Sequence, residues 1–268
     1  MCEHAATPDC HALALPLNHC NLPGWLIASL TFQQHPVALE IDGIALHHAD
    51  LFTRLQQQED ARSRAQLFTN YMAVHFRLPD HELAPWPEAE PIPRPNMNYR
   101  RLLIGWLFDS DSDAGAAWRG WAESRFGLRT RYHKAPIADD EAMAAWQFRQ
   151  AWVRATYHTH DLARQLDLLY SYCQFELACR YPHHTHLQLY RGSHQPFPRG
   201  AQELVMAFNN LSSFTQQIDE AYRFGAHVCV VQVPLSKIVC FDSLLPGTLD
   251  GESEFMVLGG WYRVRRAR

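Results

Sequence analysis

Apolar positions in the first half of the chain recur at helical spacing, while those in the second half fall in short runs of strand length. Ala61 to Phe76 carries Leu67, Met72 and Phe76 among polar residues, which predicts an amphipathic helix. Arg100 to Phe108 and Ala114 to Phe126 read as further short helices, the second bearing Trp118 and Trp121. Asp139 to Arg180 is the strongest helical stretch. Asp139 or Asp140 can cap it, and Trp146, Phe148, Trp152, Leu162, Leu166 and Leu169 supply apolar faces. A single break is expected near Tyr157 to His160, where helix propensity drops. The segment Pro79 to Pro95 also contains Pro85, Pro87, Pro91 and Pro93, and is expected as an irregular or polyproline-like connection.

After Pro182 the texture changes. Leu187 to Tyr190, Glu203 to Phe208, His227 to Val233, Lys237 to Phe241 and Glu254 to Leu258 read as strands, several bounded by Gly or Pro. Gln216 to Phe224 suits a short helix ended by Gly225. Helices followed by strands imply an α+β fold rather than regular βαβ alternation. The expected organisation is one domain over 1–268, with a mainly helical subregion at 1–182 and a strand-rich core at 183–268.

Composition narrows the function classes. The chain has 268 residues, 47% hydrophobic and 19% charged, as in an ordinary soluble globular protein. A formal net charge of -4 argues against general nucleic-acid affinity, which needs clustered cations. The local exception is Arg263, Arg265, Arg266 and Arg268, expected as a solvated tail or, alternatively, a docking patch for an acidic partner. The N-terminus lacks a basic region followed by a long apolar run, and no stretch reaches the length of a membrane span. Seven scattered cysteines suggest reduced thiols and a cytoplasmic protein without membrane attachment. Cys2, His4, Cys10, His11, His19 and Cys20, with His183, His184 and His186 further on, raise a metal-dependent enzyme as an alternative. Their spacing matches no closed zinc site, so no metal is expected.

Three constellations in the second half could carry chemistry. In Leu187 to Gly192, strand alternation turns Leu187, Leu189 and Arg191 to one face, so a guanidinium follows two apolar residues inward. A buried guanidinium needs an anionic partner, and a diphosphate suits its fork geometry. Gly192 would let a ligand approach the backbone. An arginine snorkelling at a strand end fits equally well. Asn209 to Thr215 offers amides and hydroxyls, at Ser212, Ser213 and Thr215, that could brace an ionised neighbour or simply form a loop. Last comes Asp250-Gly251-Glu252-Ser253-Glu254. If extended, Glu252 and Glu254 face the same side at roughly 6.6 Å, two strand rises apart. Such a pair can divide electrostatic and proton-handling roles. It can also be an acidic, hydrated turn.

Their order is more specific than any one of them. Tyr-Arg-Gly after a strand, then Ser-Phe-Thr leading to Ala221-Tyr222-Arg223-Phe224-Gly225, then Glu-x-Glu entering a late strand resembles the mono-ADP-ribosyltransferases of the Arg-Ser-Glu class. Nearly end to end, the chain is similar to the dinitrogenase reductase ADP-ribosyltransferase branch of that class. That likeness includes Asn21 to Ser29, Ile41-Asp42-Gly43, Asn209 to Thr215 and Gly259-Gly260-Trp261-Tyr262. The resemblance implies a helical half packed on a split β-sandwich and NAD⁺ as co-substrate. It assigns Arg191 to the NAD⁺ phosphates, Gly192 to the nicotinamide amide, Glu254 to the nicotinamide ribose and Glu252 to the incoming guanidinium. The middle motif departs from the usual Ser-Thr-Ser, leaving Thr215 as the equivalent of its first serine, with Ser212 or Ser213 sharing the bracing role. The resemblance further implies an arginine of dinitrogenase reductase as acceptor, loss of that protein's activity and hence control of nitrogen fixation. A regulator of the P-II class is implied as a partner. A non-catalytic NAD-binding module on the same fold is the alternative, and carriage of both glutamates with the arginine argues against it.

Overall fold

A computed structural model describes residues 9–78, 97–133, 135–136, 143–157, 159, 161–194, 196–198, 200–246 and 253–267. The proline-rich connection and the caps expected at Asp139 or Asp140 lie outside the described residues. Nine helices are described before the main sheet: α1 Gly24–Ile27, α2 Leu30–Gln34, α3 Ile44–His47, α4 Ala49–Gln56, α5 Ala61–His75, α6 Tyr99–Phe108, α7 Asp113–Phe126, α8 Met143–Thr156 and α9 Leu162–Arg180. The short pair β1 Arg131–Tyr132 and β2 Ala135–Pro136 interrupts them after α7. Then come β3 His186–Ser193, β4 Glu203–Thr215, α10 Ile218–Arg223, β5 His227–Pro234, β6 Ile238–Phe241 and β7 Glu254–Arg266. Helices followed by an antiparallel sheet make the fold α+β.

Local chemistry explains the helix boundaries. The side chains of Asp60, Asn98 and Ser112 each accept a backbone N–H three residues on, capping α5, α6 and α7. α7 ends at Gly127, whose φ of 64° suits glycine. The expected break in the long helical region falls between α8 and α9. Buried ion pairs tie the helices together. Arg64 of α5 makes a two-pronged contact with Glu176 of α9, which also pairs with Arg180 at 3.3 Å. Arg125 of α7 grips Asp167 of α9 at 2.7 and 3.0 Å, and Trp121 Nε1 donates to the same carboxylate at 2.7 Å.

The five main strands are ordered β4-β3-β5-β7-β6, with β4 also pairing along β7 from Glu203↔Arg265 to Thr215↔Glu254. The tip of β4 meets β3 at Tyr190↔Thr215. One core cluster spans both halves, from Ile27 and Phe68 through Tyr170 to Val257 and Val264.

The two long strands correct the sequence reading. Asn209 to Thr215 is no loop. β4 runs through it with a bulge between Phe208 and Leu211. The asparagines look like loop residues because they serve the bulge: Asn209 exchanges hydrogen bonds with the Arg131 backbone at 2.7 Å, and Asn210 Nδ2 donates to Arg119 O at 2.8 Å. Likewise β7 does not stop at Leu258. Gly259 and Gly260 continue it where no side chain fits, since a Cβ on Gly259 would sit 1.8 Å from Asn209 O and one on Gly260 2.7 Å from Ala28 Cα. Arg263, Arg265 and Arg266 are therefore strand residues rather than a tail, with Arg263 3.5 Å from Glu203. Arg268 lies outside the described residues.

Gly225 is not a left-handed helix cap either. Its Cβ would fall 2.5 Å from Ser193 O, so it is small to let α10 sit against β3.

Candidate active site

A cleft of about 860 Å³ is lined by the end of α6 and the residues after it, by Arg119 of α7, by the ends of β3 and β7, and by most of the second half of β4. That volume lies within the roughly 300–1,000 Å³ usual for small-molecule sites. Arg191, Gly192, Ser212, Ser213, Thr215 and Glu254 all line it. Strand pairing brings these distant segments together: Thr215 stands directly across from Glu254, and Ser213 across from Met256. Alternation along both strands gives Ser213, Thr215 and Glu254 one face.

Glu254 is 5% exposed. Its Oε1 accepts the Trp106 indole N–H at 2.8 Å, and the same N–H lies 3.2 Å from Ser213 Oγ. Thr215 Oγ1 accepts the Gln217 backbone N–H at 3.1 Å, which turns the chain into α10. Ser212 alternates away from Ser213, and its hydroxyl donates at 3.4 Å to Asn209 O across the bulge. Of the three small residues, Ser213 thus shares a donor with Glu254, Thr215 is its cross-strand neighbour, and Ser212 serves the bulge.

Arg191 follows the predicted inward face of β3 after the buried Leu187 and Leu189. Its guanidinium donates to Ser213 O and lies 5.8 and 5.6 Å from the ring centres of Phe208 and Phe214. Among the described residues no carboxylate reaches ion-pair distance of it. Desolvation pulls its pKa below the usual arginine value, partly offset by Cys229 and Glu254. A guanidinium so placed is suited to a ligand anion.

Gly192 lines the cleft, but its smallness has a nearer cause. A Cβ would meet Ala221 O at 2.1 Å, so glycine here lets α10 pack against β3.

The expected extended geometry of Glu252-Ser253-Glu254 does not hold at its middle residue. Ser253 has φ 47°, a left-handed turn, and Gln217 Nε2 donates to its Oγ at 2.7 Å. The separation drawn from two strand rises therefore does not apply. Glu252 itself lies outside the described residues.

Two cleft residues escaped the sequence reading. Trp106 looked like an apolar helix position, and only the rule that a buried indole N–H needs a partner could have marked it. Arg119, 5% exposed in α7, lies 5.5 Å from the Trp106 ring centre. It donates to Ser110 O, Ser110 Oγ and Arg131 O and pairs with Asp111 at 3.2 Å. Burial lowers its pKa, with Asp111 acting in opposition.

No group of three or more His, Cys, Asp or Glu residues suited to a metal ion occurs among the described residues. His11 stacks on Trp25, and His186 Nε2 contacts Gln33 O at 2.6 Å. No described helix is long and apolar enough to cross a membrane, and Cys10, Cys20, Cys173, Cys179, Cys229 and Cys240 are free thiols.

Comparison with known proteins adds the chemistry. Residues 17–266 match the family model described as dinitrogenase reductase ADP-ribosyltransferase. The chain is 35% identical over 258 residues to the NAD(+)--dinitrogen-reductase ADP-D-ribosyltransferase of Rhodospirillum rubrum, covering 92% of this chain and 93% of that relative. No solved structure matches.

Proposed function

The chain belongs to the dinitrogenase reductase ADP-ribosyltransferase family, and from that premise we propose that it moves ADP-ribose from NAD⁺ to a specific arginine of dinitrogenase reductase. The observation that carries the reading is the convergence of Arg191 and the buried Glu254 carboxylate on one cleft with Ser213 and Thr215 beside them. The expected split β-sandwich remains part of this reading, supported by two long strands that pair with different neighbours along their lengths. The continuous core supports treating 1–268 as one domain.

Arg191 holds the diphosphate of NAD⁺: its charge is already partly desolvated, and among the described residues no carboxylate lies within ion-pair reach of it. Gly192 presents backbone to the nicotinamide amide. The bond from nicotinamide to the ribose C1 then breaks. Nicotinamide leaves readily, so the transition state gathers positive charge on the ribose, as in glycoside chemistry. Glu254 stabilises that charge and orients a ribose hydroxyl. Its fixed hydrogen bond from Trp106 means little reorganisation is needed as the charge develops.

The acceptor guanidinium attacks C1 and loses a proton. Glu252 orients it and receives that proton, which matters because a free arginine, with a pKa above roughly 12, is a poor nucleophile. Modification inactivates dinitrogenase reductase and so regulates nitrogen fixation, and the family likeness extends this to control by a P-II class protein in the cytoplasm.

The test is incubation with labelled NAD⁺ and dinitrogenase reductase. Label on one target arginine supports the reading. Binding of NAD⁺ without transfer, beside an active relative as control, supports a non-catalytic NAD-binding module instead.

A further inference from the structure

The Trp106 indole N–H points at the Glu254 carboxylate from a helix of the first half, 148 residues away in sequence. Its setting is rigid. Trp106 is 2% exposed, near the end of α6. α6 is fixed at its start by the Asn98 cap and by Gln165 Oε1, which accepts the Tyr99 N–H at 3.1 Å. Against α7 it packs so closely that a Cβ on Gly105 would lie 2.5 Å from the Ala114 Cβ. The Arg119 guanidinium lies over the indole, 5.5 Å from its ring centre, itself held by Ser110, Asp111 and Arg131. An indole nitrogen can only donate, so this arrangement aims a fixed positive edge at one carboxylate oxygen. The same N–H approaches Ser213 Oγ, linking helix, sheet and carboxylate at one point.

We propose that Trp106 is a positioning residue for the transfer reaction, fixing the Glu254 carboxylate so that the helical half supplies part of the catalytic geometry. This rests on the role given to Glu254 above. A hydrogen bond to an ionised group that is already in place contributes to the transition state without being needed to bind NAD⁺, so its loss falls on kcat rather than on KM.

Two variants test it. Trp106→Phe keeps an aromatic ring and removes the donor. Replacement of Trp106 by 3-benzothienylalanine keeps the bicyclic shape and substitutes sulfur for N–H, so packing is retained even if the Phe variant folds poorly. Both are assayed for ADP-ribose transfer to dinitrogenase reductase, with melting temperature measured alongside and Glu254→Gln as reference.

The expected result for the benzothienyl protein is a wild-type melting temperature, an NAD⁺ KM within about twofold, and a kcat lower by roughly 10- to 100-fold. Wild-type kcat in the benzothienyl protein, with Glu254→Gln inactive, overturns the role of Trp106 and leaves that of Glu254 standing. Near-normal transfer by Glu254→Gln overturns both. A fall in kcat that tracks an equal loss of folded protein also overturns it, because Trp106 is then only a packing residue.

Discussion

The two halves of the molecule treat buried charge in opposite ways. In the helical half, buried carboxylates are matched by cations: Arg64 and Arg180 share Glu176, and Arg125 grips Asp167. In the second half, the half-buried Arg191 of β3 and the fully buried Lys237, in the turn just before β6, have no carboxylate within ion-pair distance among the described residues. They rest against aromatic rings and main-chain carbonyls instead. Arg191 lies by Phe208 and Phe214 and donates to Ser213 O, while Lys237 sits 4.5 Å from the Tyr262 ring centre and donates to Gly259 O at 2.9 Å. Charges neutralised inside the protein hold helices together, whereas a cleft cation left without a counter-ion is suited to an anion from outside. Arg119 stands between the two cases, paired with Asp111 yet lining the cleft.

Breaking a matched charge should cost the most. Glu176→Gln strands Arg64 and Arg180 without their counter-ion and is expected to lower stability by about 3–5 kcal/mol, read by denaturant unfolding. The surviving folded protein should keep its KM for NAD⁺, and an unchanged stability would mean the ion pairs are not structural. Arg191→Lys should do the reverse. It leaves stability nearly intact and raises the NAD⁺ KM by roughly 10- to 100-fold, because an ammonium loses the paired hydrogen bonds a guanidinium makes with phosphate. Unaltered KM would remove Arg191 from the phosphate site.

Lys237 sharpens the comparison through pH. Burial lowers its pKa from 10.5 to about 7. Below pH 7 the lysine is protonated folded and unfolded, and the folded state bears the full cost of the buried charge. Between about pH 7 and 10.5 only the unfolded state binds the proton, so stability gained from this residue rises with pH. Lys237→Met is therefore expected to be more stable than wild type below pH 7, with the gap closing toward pH 10.5. Taking the difference cancels the cysteines and tyrosines that titrate in both proteins. A gap independent of pH would contradict the lowered pKa. The smallest effect concerns Ser253, where Ser253→Gly relieves a left-handed φ but loses the Gln217 contact, leaving stability within about 1 kcal/mol.

Much of this was legible in the chain. Apolar spacing marked α5, α6 and α7 and the break between α8 and α9, and alternation turned Arg191 inward behind Leu187 and Leu189. The long strands were cut short because Asn209-Asn210 and Gly259-Gly260 carry the signals that usually end a strand. Those signals here mark a bulge in β4 and the glycines facing it in β7, a relation visible only once the strands are paired. The order of motifs singles out Arg191 and Glu254 as candidates, and both line the same cleft, although Glu254 alone reads equally as part of a hydrated acidic turn. It does not single out Trp106 and Arg119. Each lies on a helix whose local pattern explains it fully, and nothing in their spacing points to a carboxylate far along the chain.

The proposed reaction turns on the Glu254 carboxylate. Labelled NAD⁺, dinitrogenase reductase and the Glu254→Gln variant test it most directly, with NAD⁺ binding measured on the same protein. If Glu254 has this role, label on the target arginine disappears while NAD⁺ binding stays close to that of the unaltered chain. Near-normal labelling by the variant would contradict it.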